Sequence, residues 1–420
     1  MPQASDSSRA AGGSVTKRRF SPAFDAPGFS WLWLTSLFNA VAWTVQALSH
    51  GWLVLELTDS PLWVGIVAAS RGIGMFAFSI PAGTMGDRMD RRRLLIVSHV
   101  VPGLASLAFA ALVLLGGVRL WHTIAYAVIV GLASAIEKPA SSGLMYDLVG
   151  RERLFSASAL RFLAGGLIRV VGAVAGGYVI DTLGVGHTYV MVGAAHVASV
   201  ACVLRLRVLT QSPQLHPPFL AATLEGLTYA LRTPRIRRYL WLSFFTESFG
   251  FSFGSMLPVM ARDVLRVGGL GLGYLTAASG IGQVAATLAI AGRSRLANEE
   301  RVVTATALGF GVFVALFGLS PWFPLSLVMV TMVGVFAATY DSAMATVLLM
   351  LSSDAMRVRV QGLYNSTIGF NMVSGFAVGT LATLLGAPVA LAISGAIAAI
   401  SALVLRRPSK VEATIPGSET

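Results

Sequence analysis

Apolar residues along this chain come in long blocks, not in the two-residue alternation of a strand or the narrow stripe of a soluble helix. Six runs occupy about 30–55, 62–85, 94–116, 120–145, 156–180 and 186–206. After a basic, proline-containing stretch six more cover about 239–261, 268–292, 302–320, 323–349, 358–385 and 387–405. At 1.5 Å of rise per residue, a helix of about 20 residues crosses a hydrocarbon layer about 30 Å thick. Inside that layer each backbone N–H and C=O needs an internal partner, which favours helices for continuous apolar segments. The pattern predicts an all-α membrane protein of twelve transmembrane helices in two six-helix halves, 30–206 and 239–405. A connector, 207–238, joins the halves, and polar tails, 1–29 and 406–420, flank them.

Composition agrees. Of 420 residues 55% are hydrophobic and 12% charged, against about 45–50% and about 25% in soluble domains. A soluble enzyme, a disordered chain and a disulfide-stapled secreted domain are excluded. The net charge of +12 would point to nucleic acid on a soluble protein, but here it follows topology. With the N-terminus placed in the cytoplasm, 24 of the 31 Lys and Arg fall in the tails and inner loops, and only Arg119, Arg262 and Arg266 in outer ones. That is the positive-inside bias, and it predicts a cell-membrane protein with both termini cytoplasmic. Residues 1–29 are polar and carry no cleavable signal pattern, so the first apolar helix is expected to insert by itself. One cysteine, Cys202, rules out disulfides, and the six histidines show no metal-binding spacing. There is no GxxxxGK[ST] loop and no catalytic constellation, so neither an enzyme nor a bound cofactor is expected.

The halves echo each other. The segment 65-GIVAASRGIG-74 returns as 273-GYLTAASGIG-282, and 172-GAVAG-176 as 375-GFAVG-379. Two equivalent halves predict a transport architecture with a site between them near the midplane. Gly172, Gly176, Gly375 and Gly379 form small-xxx-small pairs that let helices approach closely. In the connector, 217-PPFLAATLEGLTYALRTPRIRR-238 reads as an amphipathic helix on the inner leaflet.

The most specific local signal is 82-AGTMGDRMDRRRLL-95, between the second and third runs. Asp87 is placed to accept hydrogen bonds from a helix N-terminus or to pair with Arg91. The segment resembles the signature loop of the major facilitator superfamily, with Gly83, Asp87, Arg88, Arg91 and Arg92 matching and Asp90 standing where many members carry glycine. The resemblance implies a conformational-switch role for those five residues. The stretches 51-GWLVLELTDSPLWVG-65, 137-EKPA-140, 169-RVVGAVAGG-177 and 357-RVRVQGLYN-365 resemble the branch of enterobactin-exporter and macrolide-efflux proteins; Ala173 replaces a proline common there.

Ionisable groups inside the spans are costly, on the order of 3 kcal/mol each on insertion scales, and mark functional candidates. Glu247 lies nine residues past Arg238, about 13 Å deep. It reads either as a proton carrier or as an ion-pair partner of Arg71 or Arg169. Glu137 and Asp341 occupy equivalent places in the fourth and tenth spans and read as gating bridges or cavity acids. Arg71 and Arg169 alternatively hold an anionic substrate group. Asn39, Gln46, Gln283 and Asn365 are cavity-lining candidates. His50, Tyr340 and Asn371 are comparable polar positions, although polar residues in bundles more often join helices than bind ligand.

The resulting expectation is a secondary transporter, monomeric in membrane lipid, that exports small amphipathic drug- or siderophore-like molecules by proton antiport and alternating access. Uptake of an anionic metabolite and a non-transporting sensor are the competing readings. No nucleic-acid partner is expected.

Overall fold

A computed structural model describes residues 22–206, 219–291, 299–353 and 356–405, with all side chains except those of 22, 79–88, 151, 155, 219–224, 291, 299, 358, 368–370 and 372. The first half holds α1 (Phe29–Thr58), α2 (Pro61–Arg88), α3 (Arg91–Leu114), α4 (Leu120–Leu183) and α5 (Val185–Leu204). The long α4 makes two passes, because Gly150 at φ 68° breaks it. That backbone region is strained for any residue with a Cβ. The connector helix is α6 (Phe219–Arg232). The second half opens with α7 (Pro234–Phe245) and α8 (Phe253–Val259), linked by a π-helical turn, Thr246–Gly250, and followed by a second, Met260–Val264. Then come α9 (Gly268–Ala291), α10 (Glu299–Gly318), α11 (Phe323–Leu351), α12 (Arg357–Leu385) and α13 (Ala387–Leu405).

Among the described residues, nine helical passages are long and apolar enough to cross a membrane by composition alone. The remaining passages are α1, the segment 234–264 and α12. The segment 234–264 is divided into short helices by its two π-turns, and Gln46 and His50 dilute the hydropathy of α1.

One end of the bundle is basic, with Arg91, Arg92, Arg205, Arg238 and Arg357 at helix termini, and is called here the basic end. The opposite, far end carries the sharp turns at Gly184 (φ 87°) and Gly386 (φ 86°). These turns are counterparts in the two halves and set an offset of 202 residues for the helices they end, the second pass of α4 and α12, whereas α2 repeats as α9 with Gly65 and Leu62 matching Gly273 and Leu270. Across the plane between the halves, α2 packs along α12 and the second pass of α4 along α9. Glycines permit this. A Cβ on Gly65 would collide with the Gly375 carbonyl oxygen, one on Gly273 would come within 2.6 Å of the Ala173 carbonyl oxygen, and one on Gly177 would collide with the Gly269 carbonyl oxygen. The structure thereby corrects the expected register. Gly375 and Gly379 do face the other half, at Gly65 and Pro61, but their counterparts across the pseudo-symmetry are Ala173 and Gly177. Gly172 and Gly176 instead pack on Thr44 and Val45 of α1 within their own half.

Polar contacts fasten the halves at the far end. Asp181, at the end of α4, accepts hydrogen bonds from the Gly269 and Leu270 amides at the start of α9 (2.6 and 2.9 Å). Its structural counterpart is Thr383 of α12, whose hydroxyl accepts from the Leu62 amide at the start of α2 (3.1 Å). Arg262 adds an ion pair to Asp59 (2.9 Å) and a hydrogen bond to the Leu55 carbonyl (2.6 Å). Neighbouring Asp263 (2.6 Å) and Asp59 together hold the Arg262 guanidinium above its ordinary pKa despite partial burial.

Candidate functional site

The signature loop sits at the basic end. Gly83, Asp87 and Arg88 have side chains outside the described residues, so their predicted contacts stay as sequence expectations. Arg91 and Arg92 are described. Arg91 reaches both carboxylate oxygens of Asp147 on α4 (2.8 and 2.7 Å). Arg92 donates to the Val203 and Leu204 carbonyls at the end of α5 (3.2 and 2.6 Å), neutralising part of that helix's negative terminus. Asp90, where the family pattern has glycine, caps α3 by accepting the Arg92 amide (2.8 Å). Both arginines thus bind helices of their own half. Asp147 is a partner the sequence did not single out.

At mid-depth the two halves differ sharply in charge. On the first half, Trp43 of α1 is 42% exposed. The guanidinium carbons of Arg71 and Arg169 lie 5.6 and 5.7 Å from its ring centroid, within cation–π range. Arg71 and Arg169 are half-buried. Arg169 also donates to Gln283 Oε1 on α9 across the plane between the halves (2.7 Å), and Gln283 Nε2 donates to Ser279 Oγ (3.3 Å). The arginine lies in the field of Asp341 as well.

On the second half, Glu247 is buried at 2% exposure in the π-turn between α7 and α8. π-turns inside helices are frequent at functional sites. Its electrostatic neighbour is Asp341 of α11, not an arginine. The expected ion pair of Glu247 with Arg71 or Arg169 is absent from the described contacts, and Asp341 stands between Glu247 and Arg169 in the chain of charges. Tyr340 and Tyr364 border both acids. Thr246, Glu247, Tyr340, Asp341, Gln361 and Tyr364 are buried polar groups whose hydrogen bonding is incomplete, with Tyr340 facing Thr246 and Ser243, and Tyr364 facing Asp341; together they form a polar centre on three adjoining helices. A Ser243–Thr367 hydroxyl contact (2.5 Å) ties α7 to α12 nearby.

The other candidates separate. The expected equivalence of Glu137 and Asp341 fails: Gly131 packs on Arg71 as Gly334 packs on Ser279, which makes Tyr340 the counterpart of Glu137, and the charged neighbours of Glu137 are Arg161 and Lys138. Arg161, in the second pass of α4, donates to Ser141 in the first (3.1 Å). Asn39 is half-buried on the Trp43 side of α1, Asn365 is exposed on α12 and Asn371 is half-buried. Gln46 is buried at 3% exposure, inside the first half. His50 is structural. Its Nδ1 contacts the Tyr189 hydroxyl (2.8 Å), its Nε2 the Thr123 carbonyl (3.2 Å), and Phe109 and Tyr126 pack around it. Trp43, Gln361 and Tyr364 were missed. For Trp43 the signal was its place one turn beyond Asn39.

Two helical halves pressed together along small residues, with intramembrane charges where they meet, define a multi-pass membrane transporter of the major facilitator fold. Solved structures agree on that fold. A POT family transporter in complex with 5-aminolevulinic acid matches with a TM-score of 0.73 at 11% identity, covering 90% of this chain and 95% of the other. The nucleoside transporter NupG matches at 0.72 and 14%, covering 90% and 98%. A bacterial homolog of the human lysosomal transporter Spinster, inward-facing and unoccupied, matches at 0.68 and 13%, covering 93% and 99%. The chain belongs to the transmembrane secretion effector family of that superfamily, whose model matches residues 18–415. It is 24% identical over 360 residues to the enterobactin exporter EntS of Shigella boydii serotype 18, covering 86% of this chain and 85% of the relative. The EntS of Escherichia coli O139:H28 matches to the same extent.

Proposed function

We propose that the protein exports small amphipathic organic molecules from the cytoplasm by alternating access, coupled to inward movement of protons. The observation that carries this reading is the chain Glu247–Asp341–Arg169–Gln283. In it Asp341 of the second half feels both Glu247 beside it and Arg169 of the first half, and that arginine is hydrogen-bonded back across the plane. A proton taken up by the acid pair changes the charge facing Arg169 and therefore the strength of the link between halves. This is the kind of local electrostatic event that biases a two-state packing. Like charges in a low-dielectric site resist simultaneous ionisation, which suits the pair to carrying a proton.

Support for export, and for a siderophore-like substrate, comes from the relatives named as enterobactin exporters. In this reading the basic end faces the cytoplasm by the positive-inside rule, with both termini on that side. The protein works as a monomer in membrane lipid, and rocking of the halves opens the far end. Glu137 with Arg161, and the loop residues Gly83, Asp87, Arg88, Arg91 and Arg92, regulate closure at the basic end. The test is flux in proteoliposomes. An imposed proton gradient should drive movement of amphipathic substrates, and a proton conductor should abolish it. Flux unaffected by the proton conductor would contradict proton coupling.

A further inference from the structure

Arg71 and Arg169 form a pair in the sequence and a single cluster around Trp43 in the structure, but they are not equivalent. Arg169 has Gln283 as a hydrogen-bond acceptor and Asp341 as a nearby carboxylate. Arg71 has neither. Among the described residues its close contact is the π face of Trp43, and Tyr126, whose hydroxyl is already engaged with Ser106 (2.9 Å), lies in its field. The other titratable groups that feel Arg71 are Lys138, His50 and His196, all bases. A guanidinium at mid-depth in a membrane protein is costly without a counter-charge, and among the described residues no carboxylate lies against it.

The position of Arg71 is fixed. A Cβ on Gly131 of α4 would collide with the Arg71 carbonyl oxygen, and one on Gly74 would come within 2.8 Å of the Val128 carbonyl oxygen. The backbones of α2 and α4 are therefore locked together at this residue. The indole beside it is 42% exposed. Trp43 and Ala47 are exposed one turn apart on a helix whose flanking residues, Ala42, Thr44, Val45, Gln46 and Leu48, are buried. A planar, fixed, uncompensated cation next to an accessible aromatic surface is matched by a ligand that carries an acid on a flat ring. Guanidinium binds a carboxylate through two parallel N–H donors, and the ring gains apolar and stacking contact with the indole.

We propose that Arg71, with Trp43, is the substrate-anion site, and that the transported molecules are organic anions bearing an aromatic ring next to the acid. Arg169 is held by the second half and serves the link between halves. This assignment rests on the reading of the chain as a small-molecule transporter and names the substrate class for it.

The probe is 2-naphthoate, with its neutral amide, 2-naphthamide, as the isostere. Binding is measured by calorimetry on the full-length purified protein without any gradient, so it stands apart from coupled flux. Wild type is expected to bind naphthoate about tenfold or more tightly than the amide. Arg71→Gln should weaken naphthoate about 10- to 100-fold and leave the amide unchanged, in line with loss of a charge-assisted pair. Trp43→Leu should weaken both. If Arg71→Gln does not fold, Arg71→Lys carries the test. It keeps the charge, loses the two-pronged donor, and should weaken naphthoate several-fold with the amide unaffected. Equal binding of acid and amide by wild type, binding of neither, or full naphthoate affinity in the Arg71 variant overturns the assignment. Normal binding combined with absent proton-coupled flux would instead overturn the export mechanism and leave the anion site standing.

Discussion

Asp341 is the residue on which the two charge systems meet. It borders Glu247 on its own half and Arg169 on the other, so removing its charge should change both. Asp341→Asn leaves Arg169 without its nearby carboxylate, and breaking such a pair exposes the uncompensated charge of the survivor. We expect a destabilisation on the order of 1–2 kcal/mol, seen as a lowered Tm of the detergent-solubilised protein, with part of it recovered in the Asp341→Asn, Arg169→Gln double variant. Additive losses in that double-mutant cycle would show that the two groups do not interact. The identity of these residues was legible in the sequence because charges inside apolar runs stand out against their surroundings. Their partners were not. Glu247 had two arginines within plausible depth, and only the assembly of α7 and its π-turn with α11 and α12 decided that an acid, Asp341, stands beside it. Trp43 was missed for the opposite reason: its place one turn beyond Asn39 was the one signal, a tryptophan in a membrane helix has many ordinary uses, and nothing in sequence places two guanidiniums on its ring.

At the scale of helices, the far-end closure depends on close backbone approach and on two helix caps. Gly65→Val places side-chain atoms where the Gly375 carbonyl stands, and overpacking of this kind costs about 1–3 kcal/mol. The expected result is a well-inserted protein whose far end no longer closes and whose transport is lost; normal flux would contradict it. Asp181→Ala with Thr383→Val removes the caps of α9 and α2. Loss of a helix N-cap costs about 1 kcal/mol, so the far end should open about fivefold or more often. Faster labelling of Ala47→Cys by a membrane-impermeant maleimide, in a Cys202→Ser background, would report it. Unchanged labelling would remove the caps from the closing machinery. Span order, the connector helix and the loop at the basic end could be read from hydropathy and charge. The repeat register could not: 172-GAVAG-176 looks like 375-GFAVG-379 letter by letter, yet the contacts pair Ala173 and Gly177 with Gly375 and Gly379. A backbone carbonyl contact tolerates alanine as well as glycine, so the motif's letters do not mark its facing side.

For the molecule as a whole, the two halves carry opposite assignments. The first presents cations, Arg71 and Arg169, around Trp43, and the second presents acids, Glu247 and Asp341. In the transport cycle proposed here, substrate anions are held by the first half and protons by the second, with Arg169–Gln283 as the bridge that responds to both. Asp87→Asn should slow the cycle by at least tenfold without reducing the amount of protein in the membrane, since the signature loop is assigned to switching; full flux at normal expression would remove that role. The most direct test of the central claim is proton movement in proteoliposomes holding wild type or Glu247→Gln, under an imposed pH gradient and challenged with a panel of amphipathic anions, neutral compounds and cations. The account predicts that an anion triggers proton flux in wild type and that Glu247→Gln abolishes that flux while still binding the anion. Equal proton flux in the two proteins would contradict it.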